Sequence, residues 1–91
     1  MEILVRFYGT FRSLTGVKDF KFITEKTMTV NDLISFLTAK FSEMQREDIP
    51  EGVLPSSLII LNGVEINNIE GLNSKINDCS EITFIPVNHG G

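Results

Sequence analysis

The stretch "SLIILNGVEI", residues 57–66, constrains the fold more than any other part of this chain. An Asn-Gly pair between two apolar runs is the sequence of a tight hairpin turn, in which both central residues take positive φ. Two antiparallel strands are therefore expected on either side of Asn62 and Gly63. A lone hairpin is marginal in water, so the rest of the chain must supply further strands and a cover for one face.

"EILVRFY" supplies the first of these. Ile3, Val5 and Phe7 alternate with Leu4, Arg6 and Tyr8, a period of two that predicts a strand. Gly9 breaks it, and "TFRSLTG" reads as a loop in which Phe11 and Leu14 plug one end of the core. "VKDFKFIT" resumes the alternation, with Phe20 and Phe22 on one face and Asp19 and Lys21 on the other. In "TMTVNDLISFLTAKFSEM" the period changes: Val30, Leu33, Ile34, Leu37, Phe41 and Met44 fall on helical spacing. Thr29 and Asp32 form the pattern of a capping box at its start. Pro50 and Pro55 end the helix, and residues from about Arg46 to Ser57 read as a long loop. "NNIEGLNSKIND" reads as loop with one helical turn, and "SEITFIPV" as a last strand beside the first.

The predicted class is α+β: a mixed sheet of four to five strands packed on one main helix. With 91 residues, 42% of them hydrophobic and seven of them Phe, the chain builds one domain, residues 1–87. A flexible tail, residues 88–91, is expected to project from the sheet. A net charge of −4 with scattered basic residues argues against nucleic acid as a direct partner. Arg6, Arg12 and Lys18 make at best a small basic patch.

Chemistry is sparse. One cysteine, Cys79, allows neither an internal disulfide nor a cysteine metal cluster, and no metal site is expected. It reads as a small, partly buried turn residue. The one histidine, His89, sits in the tail without a residue to orient it. Glu43, Glu47, Asp48 and Glu51 read as a solvated surface. There is no signal-peptide pattern and no run long enough to span a bilayer, so a cytoplasmic, non-membrane location is the default expectation. The chain is expected not to be an enzyme by itself. What remains is "FIPVNHGG": a strand followed by Asn88, His89, Gly90 and Gly91. An ionised α-carboxylate can attack the α-phosphorus of ATP when another protein positions both. A side-chain-poor tail is what a narrow channel in that protein would admit.

These segments together resemble the ubiquitin-like β-grasp sulfur carriers, most closely the small subunit of molybdopterin synthase (MoaD/ThiS-like) and its archaeal modifier relatives. "VRFYGTFRSLTG" is similar to the family's opening strand and loop, with Arg12 and Gly16 in place. "TVNDLISFL" is similar to its helix start and "LIILNGVEI" to its central hairpin. "LNSKINDCSEITFIPVNHGG" is similar to its closing segment, matching at Asp78, Glu81, Ile82, Phe84, Pro86, Gly90 and Gly91. The family usually has Gly where Cys79 stands, so a positive φ there would strain this residue unless the turn differs. Val87 stands where a second Pro is frequent.

The resemblance implies that a ubiquitin-activating-like (MoeB/ThiF-type) enzyme adenylates the Gly91 carboxylate with ATP, and that sulfur transfer then makes a thiocarboxylate. No tightly bound cofactor is implied. It further implies delivery of sulfur to the large subunit of molybdopterin synthase, with tRNA thiolation or conjugation to target lysines as alternatives. A non-covalent binding module with an incidental tail is the third reading. Alternation places Leu58, Ile60, Ile85 and Val87, with Arg6, on the outer sheet face as a partner-binding patch.

Overall fold

The computed structural model describes residues 1–45 and 52–87. Its strands are β1 (Glu2–Phe7), β2 (Asp19–Ile23), β3 (Met28–Thr29), β4 (Leu58–Leu61), β5 (Val64–Glu65), β6 (Lys75–Ile76) and β7 (Ser80–Ile85). Its helices are α1 (Thr10–Thr15) and α2 (Val30–Lys40). The main sheet has the order β2-β1-β7-β4-β5, and β3 pairs with β6 in a separate two-stranded ribbon. β7 runs parallel to β1 and antiparallel to β4, so the last strand is the centre of the sheet. This is the mixed five-stranded sheet on one main helix that defines the ubiquitin-like β-grasp.

Alternation decides which side chains meet the helix. Ile3, Val5, Phe7, Ile59, Leu61, Ile82 and Phe84 are buried on the inner face. Val30, Leu33, Ile34 and Leu37 of α2 close over them. Phe7 is the hub, with ring centroids 6.2 Å from Phe20, 5.7 Å from Phe41 and 5.9 Å from Phe84. Fully burying each such ring is worth about 2–3 kcal/mol. α2 begins with the expected box: the Asp32 amide donates to Thr29 Oγ1, and the Thr29 amide donates to Asp32 Oδ2. The hairpin turn has φ 51° at Asn62 and 84° at Gly63, the two positive values that Asn-Gly supplies at low steric cost.

Four expectations are corrected. "TFRSLTG" is not a loop: residues 10–15 form α1. Six residues are too few to be helical on propensity. The helix exists because Phe11 is buried in the core and Leu14 packs against it. α2 stops at Lys40, so Phe41 and Met44 do not belong to it. Phe41 is extended (φ −108°, ψ 92°) and Met44 closes a 3₁₀ turn, yet both still pack into the core. "NNIEGLNSKIND" holds two 3₁₀ turns, at 66–68 and 71–73, and then β6, rather than a loop with one helical turn. Within the expected 46–57 loop, Leu54–Ser56 form a further 3₁₀ turn.

Candidate functional site: the end of the central strand

Two sets of side-chain clamps hold β7 in register at its start. The Glu2 amide donates to Asp78 Oδ1 at 2.7 Å, and the Cys79 amide donates to the Glu2 carbonyl at 2.8 Å. The Glu2 amide bond is the main reason the Asp78 carboxyl is held below the ordinary carboxylate value. On the other flank, Asn62 Oδ1 accepts from the Glu81 amide at 2.8 Å and Asn62 Nδ2 donates to Ser80 Oγ at 3.2 Å. Thus the Asn of the hairpin turn also pins the last strand. Asp78, Asn62 and the Glu81 backbone are register devices, which is the physical content of the motif they carry. Cys79 sits in this turn at φ 62°, the strained case, and it is exposed rather than partly buried.

At its far end β7 passes through a collar that the sequence did not reveal. The Tyr8 amide donates to the Phe84 carbonyl at 3.1 Å, one step beyond β1. Gly9 then takes φ 54°, ψ −136°, a conformation open essentially to glycine. A Cβ on Gly9 would lie 2.9 Å from Pro86 Cγ, so the backbone of Gly9 is the seat of the Pro86 ring. Arg12, four positions after Tyr8 and inside α1, donates from Nε to the Phe7 carbonyl at 2.8 Å. Its guanidinium lies 4.7 Å from the Tyr8 ring centroid, a cation–π contact. The only trace of this in the sequence is the i, i+4 spacing of Tyr8 and Arg12 around Gly9.

The outer face is laid out by pairing. Leu58 is opposite Ile85, and Thr83 lies between Ile60 on β4 and Arg6 on β1. The structure therefore brings Leu58, Ile60, Ile85 and Arg6 onto one face beside the end of β7. Leu58 is 37% and Val87 46% exposed, while Ile60, Ile85 and Arg6 are half-buried. Val87 follows Pro86 beyond the strand and has no sheet partner. Arg6 reaches Glu81 at 3.2 Å, and its Nε is buried with no hydrogen-bond partner among the described residues. A surface pair of this kind contributes little to stability. Asn88, His89, Gly90 and Gly91 lie outside the described residues, as do Glu47, Asp48 and Glu51. Among the described residues no group of three His, Cys, Asp or Glu is placed to hold a metal, and no helix is long and apolar enough to cross a membrane.

The fold is a ubiquitin-like β-grasp with its last strand at the centre of the sheet, a fold shared by the sulfur-carrier and ubiquitin-like modifier proteins. Comparison with known families gives the same class: the ThiS family model matches residues 5–91, and the chain belongs to that family. The chain is 28% identical over 92 residues to small archaeal modifier protein 3 of Haloferax volcanii, covering all of both proteins. It superposes on small archaeal modifier protein 1 of Methanosarcina acetivorans with a TM-score of 0.76 and 26% identity, over 99% of this chain and 96% of that one. A chain from the Helicobacter pylori complex of subunits 1 and 2 of molybdopterin-converting factor shares the fold, with a TM-score of 0.61, 22% identity and full coverage of both chains.

Proposed function

We propose that this protein is a sulfur carrier that works through the carboxylate of Gly91. The observation that supports this reading is the seating of β7. It is paired on both sides, clamped at its start and held by Gly9 under Pro86 at its end. Ile85 is six positions before Gly91, a span of at most about 20 Å when extended. A partner that docks on Leu58, Ile60, Ile85, Val87 and Arg6 therefore has its reacting centre within that distance of the patch.

The chemistry takes place in the partner's site. A ubiquitin-activating-like (MoeB/ThiF-type) enzyme binds ATP. The Gly91 carboxylate oxygen attacks the α-phosphorus, pyrophosphate leaves, and an acyl-adenylate forms. A hydrosulfide-level sulfur nucleophile then attacks the carbonyl carbon and expels AMP, leaving the thiocarboxylate. Asn88, His89 and Gly90 are the residues that enter the channel with it. The destination proposed is molybdopterin synthesis, with this chain as the small subunit beside the molybdopterin synthase large subunit. A second reading, conjugation of Gly91 to target lysines, is favoured by the full-length 28% identity to an archaeal modifier.

Intact mass spectrometry after co-expression with an activating enzyme tests the carrier step. The expected result is a gain of about 16 Da, sulfur for oxygen, confined to Gly91 and lost in a chain cut after Asn88. Leu58→Asp is expected to leave the chain folded at a cost of about 1–2 kcal/mol, for the apolar surface that Leu58 still buries, while slowing thiocarboxylate formation at least tenfold. An unmodified mass in the presence of active enzyme overturns the carrier reading. Lysine-linked adducts that vanish on deletion of Gly90 and Gly91 would establish the second reading.

A further inference from the structure

On the side of the molecule away from the β4–β7 face, β2 forms the edge of the sheet. Hydrogen bonding at its ends fixes which backbone groups face outward. Met1 and Thr24 exchange both bonds, at 2.7 and 3.0 Å, and the Phe7 amide donates to the Lys18 carbonyl at 2.8 Å. In an antiparallel ladder such pairs alternate. Lys18, Phe20, Phe22 and Thr24 therefore turn toward β1, and the amides and carbonyls of Asp19, Lys21 and Ile23 point outward. No strand among the described residues pairs with them. Natural sheets keep such edges short or cover them. The opposite edge, β5, is two residues long, whereas β2 is five and has no strand outside it among the described residues.

A cleft of about 550 Å³ runs along this edge between β2 and α2. Its apolar lining includes Phe20, Phe22, Met28 and Phe36. Phe22 and Phe36 pack with ring centroids 4.4 Å apart, yet Phe36 is 40% exposed, and Ile23 on the strand itself is 75% exposed. Among the described residues its charged lining is Lys21, Lys26 and Lys40, with no Asp or Glu, in a chain whose net charge is −4. Lys21 is paired with Glu2 at 3.1 Å, and Lys26 and Lys40 have no acidic partner among the described residues. An unpaired edge beside an apolar groove is the arrangement that accepts an added strand.

We propose that this cleft binds an extended segment of a partner protein, an apolar run flanked by acidic residues, which adds to the sheet outside β2. Its backbone completes the hydrogen bonds of Asp19, Lys21 and Ile23. Alternate side chains enter the groove over Phe22 and Phe36, and its acids meet Lys26 and Lys40. A second copy of this chain fits poorly. Antiparallel pairing centred on Lys21 would oppose Lys21 to Lys21, and like charges directly opposite are destabilising. No residue of β7 or of the outer-face patch lines the cleft, so engaging this partner leaves the docking face of the carrier free.

The test is titration of the isotope-labelled full chain with a synthetic peptide of four Val/Ile residues followed by four Asp/Glu residues. Amide shifts are expected at Asp19, Lys21 and Ile23, with a dissociation constant on the order of 100 µM, as a small transient interface supports. The Lys26→Glu, Lys40→Glu double variant should weaken binding at least tenfold, and so should Phe36→Ala. Ile23→Pro should abolish it, since the lost amide faces outward and belongs to no ladder. A chain cut after Val87 should bind unchanged, which separates this site from the carrier function. Shifts confined to β4 and β7, equal binding of a peptide with Lys in place of its acids, no saturation at about 1 mM, or a wild-type dimer formed through β2 would each overturn the proposal.

Discussion

Gly9→Ala is the substitution that the collar makes most informative. Two costs act on it, and the structure separates them. The first is backbone strain: φ 54°, ψ −136° is a region an L-residue enters at about 1–3 kcal/mol. The second is steric. The new Cβ would lie 2.9 Å from Pro86 Cγ and 3.4 Å from Cδ, where contact begins near 3.5 Å. Pro86 is a ring fused to the backbone and cannot swing away, so the chain must shift with it. Overpacking of this kind costs about 1–3 kcal/mol. The single variant should therefore lose about 2–6 kcal/mol. Pro86→Ala removes both clashing carbons, so in that background Gly9→Ala should cost only the backbone part. The coupling between the two sites, about 1–3 kcal/mol, is then the steric term. Urea denaturation of the wild type, both single variants and the double variant measures it. Thiocarboxylate formation in the folded Gly9→Ala protein should slow as well, because the displaced Pro86 redirects the approach to Gly91. A Gly9→Ala protein within about 0.5 kcal/mol of wild type, or a penalty undiminished beside Pro86→Ala, would refute the reasoning.

The turn before β7 supports two more predictions. The Glu2 amide holds the Asp78 carboxyl below its ordinary value of 3.8, so its ionised form favours the folded state. That stabilisation is fully present above the unfolded value, about 3.9, and is lost as pH falls through the lower folded value. Asp78→Asn should thus be less stable than wild type at neutral pH, with the gap closing as pH drops below about 4. Urea midpoints taken across that range check this; a gap that widens on acidification would contradict it. At Cys79, φ 62° costs an L-residue about 1–2 kcal/mol, while glycine enters freely but loses about 0.5–1 kcal/mol of chain entropy. Cys79→Gly should stabilise by about 1 kcal/mol or less, read as a rise in melting temperature.

The legibility of this chain follows the range of the forces involved. The Asn62-Gly63 hairpin, the Thr29–Asp32 cap and the inward phase of β1, β4 and β7 were readable because each is local. A turn needs particular φ values, a cap needs a side chain three residues away, and a strand needs alternate residues to be apolar. α1 was missed because its six residues helix only once Phe11 enters the core. The end of α2 was missed because Phe41 and Met44 are buried by a change of direction that helical spacing mimics. The short β3–β6 ribbon has two residues a side, too few to carry a period.

For the site, the sequence named the outer-face residues, and the structure placed Leu58, Ile60, Ile85 and Arg6 side by side around the end of β7. Beyond the four-residue spacing of Tyr8 and Arg12, nothing in the sequence pointed to Gly9 seating Pro86 or to Arg12 stacking on Tyr8. Gly9 and Pro86 are 77 positions apart and nothing local links them. The sequence by itself determined an α+β domain with an Asn-Gly hairpin, one main helix and a last strand leading to two glycines. Only the tertiary structure decided that Asn62 and Asp78 clamp that strand from its two sides, that a glycine backbone seats it at the other end, and that β2 is left as an open edge beside Phe22 and Phe36. These are contacts between distant segments, and their energies exist only once the chain has closed on itself.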